Sequence, residues 1–163
     1  MTNNKTTVTL DCWIKKANGF YQTAKFLDNP IIEISYNIDS ITSSWYLLHH
    51  SIELFLKAIL INYNGFNSAT SKIHDLNKLA EKVDGLDQKI DFLLKEVKDN
   101  RSIKQWISFI NPFGFPNGGI RYNQPDKGLY AAPLGISCYF SDLIETIKEN
   151  CDLKKEIDKA LLR

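Results

Sequence analysis

Several things are missing from this chain, and each absence excludes a class of protein. No stretch approaches the ~18 uninterrupted apolar residues that a membrane span needs, although 44% of the 163 residues are hydrophobic. Neither sign of charge is in surplus: 20 Lys+Arg stand against 19 Asp+Glu, a formal charge of +1. That argues against a basic nucleic-acid wrapper or an acidic disordered tail, since both depend on a surplus. Met1 to Phe20 is polar and carries Asp11, Lys15 and Lys16 where a signal peptide would have an apolar run. The expectation is a soluble, cytoplasmic protein that does not enter the membrane. Cysteine is scarce. Cys12, Cys138 and Cys151 are odd in number and widely spaced, with no Cys-x-x-Cys and no neighbouring His. They read as small core residues or inert thiols, not as a disulfide framework or a zinc site. Gly-x-Ser-x-Gly and Gly-x-x-x-x-Gly-Lys are also absent, so neither a nucleophile elbow nor a phosphate loop of the usual kind is encoded.

What remains is one globular domain spanning 1–163, with its core over about 11–162. A chain of this length buries roughly two-thirds of its unfolded surface, and no repeat or low-complexity segment divides it. The periodicity is mostly helical. Asp11 to Leu27 predicts a first helix with Trp13, Ala17, Phe20, Tyr21, Ala24 and Leu27 on its apolar face, weakened by Gly19. Asn29 to Ile38 alternates Ile32, Ile34, Tyr36 and Ile38 and reads as an extended connector. Ser40 is a candidate N-cap for a helix over Ile41–Asn62 that is apolar around most of its circumference, the pattern of a helix buried at the centre of its domain. Asn64-Gly65 should stop it.

A short amphipathic helix over His74–Val83 follows, ended by Asp84-Gly85, then a longer one from Leu86 to about Ile110. Two more helices, over about 134–149 and 153–162, close the chain. Residues 111–133 hold four of the five prolines and four of the eight glycines, so no helix runs through the whole stretch. Phe113, Phe115, Ile120, Tyr122 and Tyr130 argue for an ordered loop that packs on the domain. The fold class is therefore all-α: an up-and-down bundle of four to five helices with one long ordered loop.

On the central helix His49, Glu53 and Lys57 are four apart and share a face, with His50 and Tyr46 beside it. Glu53 lies N-terminal to Lys57, the favourable order for a helical ion pair, and the apolarity of the helix points to a buried polar stripe over a solvated one. Metal binding is not expected. His49 and His50 point about 100° apart, and His-x-x-Glu is not the ligand pattern of helical di-iron or zinc sites. His74 opens its helix in His-Asp-Leu, where Asp75 is placed to cap and His74 to hydrogen-bond the core. Asn117-Gly118-Gly119 beside Arg121 is a weak candidate for an anion nest.

Three segments together resemble the HEPN domain family (higher eukaryotes and prokaryotes nucleotide-binding). They are the helix His50-Ser-Ile-Glu53-Leu-Phe-Leu-Lys57-Ala-Ile-Leu60, then His74-Asp75-Leu76-x-x-Leu79, then Ile120-Arg121-Tyr122 with Pro125-Asp126 downstream. The resemblance spans about Ile41 to Glu149. It departs from the family where Asn123 stands in place of the usual Pro, with Pro125 two residues late.

The resemblance implies an all-α bundle, a symmetric dimer, no cofactor, and a role in RNA cleavage, toxin–antitoxin pairs or anti-phage defence. Many members are RNases using Arg, four to six residues, then His. Here Arg101, Arg121 and Arg163 all follow the last histidine, His74, so that motif is absent and the usual catalysis is not expected. The other branch implies that His50, Glu53, Lys57, His74, Asp75, Arg121 and Tyr122 bind a nucleotide, RNA or other phosphate. Arg121 would offer a planar fork, Lys57 a point charge and Tyr122 a stacking face. Two alternatives stand beside it: an RNase with a nonstandard site drawn from His49, His50, His74 and Arg121, and a purely structural module for a protein partner. On the structural alternative these residues knit the loop to the bundle, with Glu53 pairing with Arg121 and His74 with a backbone carbonyl.

Overall fold

A computed structural model describes residues 3–27, 38–65, 68–86, 96–97, 101–114 and 144. The described residues contain five helical segments with defined bounds: α1 (Asn3–Leu27), α2 (Ile38–Asn64), α3 (Ser68–Ser71), α4 (Leu76–Asp84) and α5 (Ile103–Gly114). The only strands among the described residues, β1 (Glu96–Val97) and β2 (Arg101–Ser102), pair antiparallel as a minimal ribbon. The chain is an all-α helical bundle. No helix of the described residues is long and apolar enough to cross a membrane.

The bundle is organised around α2. Every residue from Ser51 to Ile61 is buried, so this segment meets neighbours on all sides, as its unbroken apolar circumference requires. α1 packs along it through Ile14, Ala17, Tyr21 and Ala24, all buried and spaced three and four apart. The two alanines let the backbones come close. Ser51 Oγ donates to the Ala17 carbonyl at 2.8 Å and Ser44 Oγ to the Ala24 carbonyl at 3.1 Å. Residue number rises along α2 as it falls along α1, so the two helices are antiparallel. α4 presents Leu76, Leu79, Ala80 and Val83 to the same core, and α5 adds Ile103, Trp106, Ile107 and Ile110. Ile144, helical and fully buried, joins them.

The expected ends of the first two helices and of the short helix over 74–83 hold to within two residues, but the starts do not: that short helix, α4, opens at Leu76 and leaves His74 and Asp75 before it. α2 ends where expected: Gly65 takes φ +74, and its N–H closes on the Ile61 carbonyl at 2.9 Å. It starts earlier than expected, however, at Ile38, so Ser40 lies in its first turn and is not the residue before it. α1 likewise extends back to Asn3 through a Thr-rich stretch of modest helix propensity, and Ile14 belongs to its buried face.

The helix expected over Leu86–Ile110 is a misreading. β1 and β2 interrupt it, and α5 begins only at Ile103. Ser102 and Gln105 show why: the Gln105 N–H donates to Ser102 Oγ at 3.2 Å, and the Ser102 N–H donates to Gln105 Oε1 at 2.8 Å. This reciprocal capping box starts a helix in mid-pattern. α5 then runs through Asn111 and Pro112 to Gly114, so the first four residues of the expected loop are helical. Pro112 lacks the N–H that would bond the Ser108 carbonyl, so one helical hydrogen bond is lost near the end of α5. The rest of that loop, the connector expected over 29–38 except for Ile38, which is helical, and the two closing helices, apart from Ile144, lie outside the described residues. Cys12 is free and exposed, not a core residue; the other two cysteines lie outside the described residues.

Gly19 sits inside α1, and a Cβ built there meets nothing within 4 Å. Gly19→Ala should therefore stabilise the fold by about 0.5–1 kcal/mol through lost unfolded-state entropy. Chemical denaturation should show a higher midpoint at unchanged slope.

Candidate functional site

The polar stripe of α2 is buried. His49, Glu53 and Lys57 are 2%, 3% and 2% exposed, so each charge must find partners inside the protein. Lys57 Nζ donates to Glu53 Oε1 at 2.7 Å and to the Ser71 carbonyl of α3 at 2.8 Å, and it lies 5.4 Å from the centre of the Trp13 ring. The ammonium thus joins three elements: its own helix, α1 through a cation–π contact, and the last residue of α3. Its charge is committed inside the fold.

Glu53 is the hub. Its Oε1 also takes His74 Nδ1 at 3.1 Å, and its Oε2 lies 3.6 Å from His50 Nδ1, an electrostatic contact longer than a hydrogen bond. Burial pushes this carboxyl up, but the contacts from His50 and Lys57 and the Lys57 charge outweigh it and hold it at about 2. Glu53 is therefore ionised at neutral pH. A carboxylate can only accept, so the proton of the His74 hydrogen bond sits on Nδ1. In the neutral ring Nε2 is then the lone-pair nitrogen.

The two imidazoles differ in setting. The His74 side chain is 60% exposed, so a histidine anchored to a buried carboxylate is presented to solvent. His50 is half-buried, with Phe20 edge-on to its ring at 4.6 Å and Tyr46 parallel to it at 6.2 Å. His49 differs from both. Burial pushes it down to about 4, His50 and His74 act the same way, and Glu53 and Asp75 oppose. It is neutral at pH 7, and its buried Nε2 has no hydrogen-bond partner among the described residues.

Asp75 is a cap, as its position before the helix suggests. Its backbone is extended (φ −76, ψ 113), and its Oδ1 accepts from the Asn77 and Lys78 N–H groups at 2.9 and 3.3 Å. The remaining free amides of the first turn are also matched. Leu79 N–H reaches the Asp75 carbonyl at 3.0 Å, and Leu76 N–H reaches Asn111 Oδ1 at 2.7 Å. Asn111 Nδ2 then donates back to Asp75 Oδ1 at 3.2 Å. Asn111 thus clasps the start of α4 to the end of α5.

Nothing local marks this role for Asn111, because its partner Asp75 lies 36 residues away. Asn111→Ala leaves the Leu76 N–H without its acceptor and should cost about 1–3 kcal/mol. A midpoint shift in urea, with helix content preserved by circular dichroism, would show it.

The structure therefore gathers His50, Lys57 and His74 around Glu53, while Asp75, next to His74 in the chain, bonds to the start of α4 and to Asn111. Arg121, Tyr122 and the Asn117-Gly118-Gly119 turn lie outside the described residues, as does any Glu53–Arg121 pair. Among the described residues no group of three or more His, Cys, Asp or Glu side chains could hold a metal ion. Comparison with protein-family models, curated proteins and solved structures finds no match to this chain.

Proposed function

We propose that this chain is a HEPN-like helical domain that binds a nucleotide or RNA, without the Arg-to-His arrangement that family RNases use. The supporting observation is His74. Its Nδ1 is fixed on an ionised, buried carboxylate, and its ring faces solvent. A protonated imidazole so held donates from Nε2 to a phosphate oxygen while Glu53 balances its charge. On this reading His50, beside Tyr46 and Phe20, offers a flat face for a base. Arg121 and Tyr122 supply the planar fork and a second stacking face. Lys57 and Asp75 build the platform without touching the ligand.

The test is a thermal-shift panel with ATP, GTP, NAD and a short RNA on the wild type, His74→Ala and Arg121→Ala. A ligand at 100 times its dissociation constant stabilises the fold by ~2.7 kcal/mol, a rise of several degrees for a domain of this size. The expected result is a shift in the wild type that both variants lose while remaining folded. No shift with any ligand would overturn the reading in favour of an interaction module.

That second reading has its own support, because Lys57, Asp75 and Asn111 all have internal structural work. The family resemblance adds a homodimer, which light scattering at high micromolar concentration would reveal, and a setting in toxin–antitoxin pairs or defence. Overexpression toxicity relieved by His74→Ala would instead favour an RNase with a nonstandard site.

A further inference from the structure

We propose that His74 is a phosphoryl-acceptor site, with Nε2 as the nucleophile that takes the group from a small acyl phosphate or phosphoramidate. Attack by an imidazole needs a lone pair at a defined nitrogen and open space along it for a tetrahedral phosphorus. It also needs a counter-charge for the positive ring that results. His74 has all three. Its Nδ1 lies 3.1 Å from Glu53 Oε1, and Lys57 Nζ, 2.7 Å from the same oxygen, keeps that carboxylate anionic. The proton of the neutral ring is therefore on Nδ1 and the lone pair on Nε2. Nε2 is on the side of the ring away from the buried carboxylate, and with the side chain 60% exposed that side meets solvent.

The chain has two other histidines, and each lacks one of these conditions. His49 is buried. His50 is half-buried, stands 3.6 Å from the carboxylate, and has the rings of Phe20 and Tyr46 beside it. The neighbours of His74 suit a group that arrives with negative charge. Lys72 and Lys78, two residues before it and four after, are exposed and make no ion pair with a carboxylate among the described residues. The adjacent Asp75 carboxylate is occupied by the Asn77 and Lys78 N–H groups and by Asn111 Nδ2.

In the transfer, the Nε2 electron pair forms the N–P bond. The bond from phosphorus to the acyl oxygen, or to the phosphoramidate nitrogen, breaks and its pair goes with the leaving group. The first departs as a carboxylate and the second, already protonated, as ammonia, so neither takes a proton from the protein. The ring becomes a phosphorylimidazolium that keeps its proton on Nδ1, and Glu53 balances the new charge. Glu53 is thus a positioning residue that does not touch phosphorus. Neither donor carries a base or a ribose, so this inference and the nucleotide reading share His74 but can fail separately.

The test incubates the full chain at neutral pH with potassium phosphoramidate and, separately, with acetyl phosphate. With either donor, intact mass should show one added phosphoryl group, kept in base and lost in mild acid as an N–P bond is. Tandem mass spectrometry should place it on His74, and phosphorus NMR at Nε2. It should form faster than on N-acetylhistidine amide at the same donor concentration. His74→Ala should stay unlabelled. Glu53→Gln keeps an oxygen to accept the Nδ1 proton but loses the charge. It should retain the Nε2 preference and label roughly 10–100-fold more slowly, the range seen when metal-ligating histidines lose a carboxylate partner. Labelling at Nδ1, labelling only of other side chains, or no label with either donor would overturn the proposal. So would a rate no greater than that of the free imidazole, or an unchanged rate in Glu53→Gln. If that variant does not fold, the isomer and the rate in the wild type decide.

Discussion

Lys57→Met should destabilise the protein by about 3–5 kcal/mol, among the largest effects of any single change in the described residues. Methionine keeps most of the alkyl stem, so the packing around α2 is largely preserved. What disappears is the ammonium that neutralises Glu53 and holds the Ser71 carbonyl. A carboxylate 97% removed from solvent would be left with imidazoles alone, and a carbonyl that had a charged donor would lose it. The double variant Glu53→Leu/Lys57→Met should lose much less than the two single losses combined, since no charge is then stranded. Urea denaturation of the four proteins at pH 7 gives the coupling directly. A Lys57→Met cost below 1 kcal/mol would mean that water screens the pair, and the buried-network description would fail with it.

Half of that network is visible in the sequence. Glu53 and Lys57 at i and i+4 on a helix apolar elsewhere announce a buried pair, because the chain offers no solvated face for them. The return of the turn onto that pair was not visible. Ser71 contributes only a backbone carbonyl, which carries no residue-type signal, and His74 is 21 residues from Glu53. Trp13 over Lys57 was equally hidden, since its helical position is that of an ordinary core aromatic. Asp75 was readable because capping is local chemistry. Asn111 was not, because its partners come from another helix.

The same division explains the fold. Features set within one turn of chain, such as the Gly65 stop and the Asp75 cap, were legible. The span 86–110 failed because apolar spacing that reads as one helix continues across the β1–β2 ribbon. Ser102-Ile-Lys-Gln105 did hold the corrective signal: serine followed three residues later by glutamine is the signature of a helix start. It was outweighed by a pattern of Ile, Leu and Trp. Periodicity measures which side of a segment is buried and is blind to whether the backbone between two buried stretches is continuous.

Acidification should lower the stability of the protein in two resolvable limbs. His49 is held at about 4 in the folded state against 6.5 as a free group, so the unfolded chain binds the extra proton first. Its contribution is complete above pH 6.5 and is lost as pH falls to 4. Glu53 is held at about 2 against 4.5; its contribution is complete above pH 4.5 and is lost as pH falls to 2. On taking up a proton one group becomes charged and the other neutral, yet both shifts are downward, so both losses run the same way. Each is on the order of 3 kcal/mol by linkage, a large share of the stability of a domain this size. Urea midpoints measured from pH 8 to 3 should therefore begin to fall near pH 6.5, well above the range where carboxylates titrate. His49→Gln should flatten the limb between 6.5 and 4.5 and leave the lower one. Glu53→Gln should remove the lower limb at the cost of a weaker protein at neutral pH, because Lys57 then loses its counter-charge. A stability that stays level from pH 8 to 5 in the wild type would show that His49 charges without penalty, and that its ring is not sealed from water.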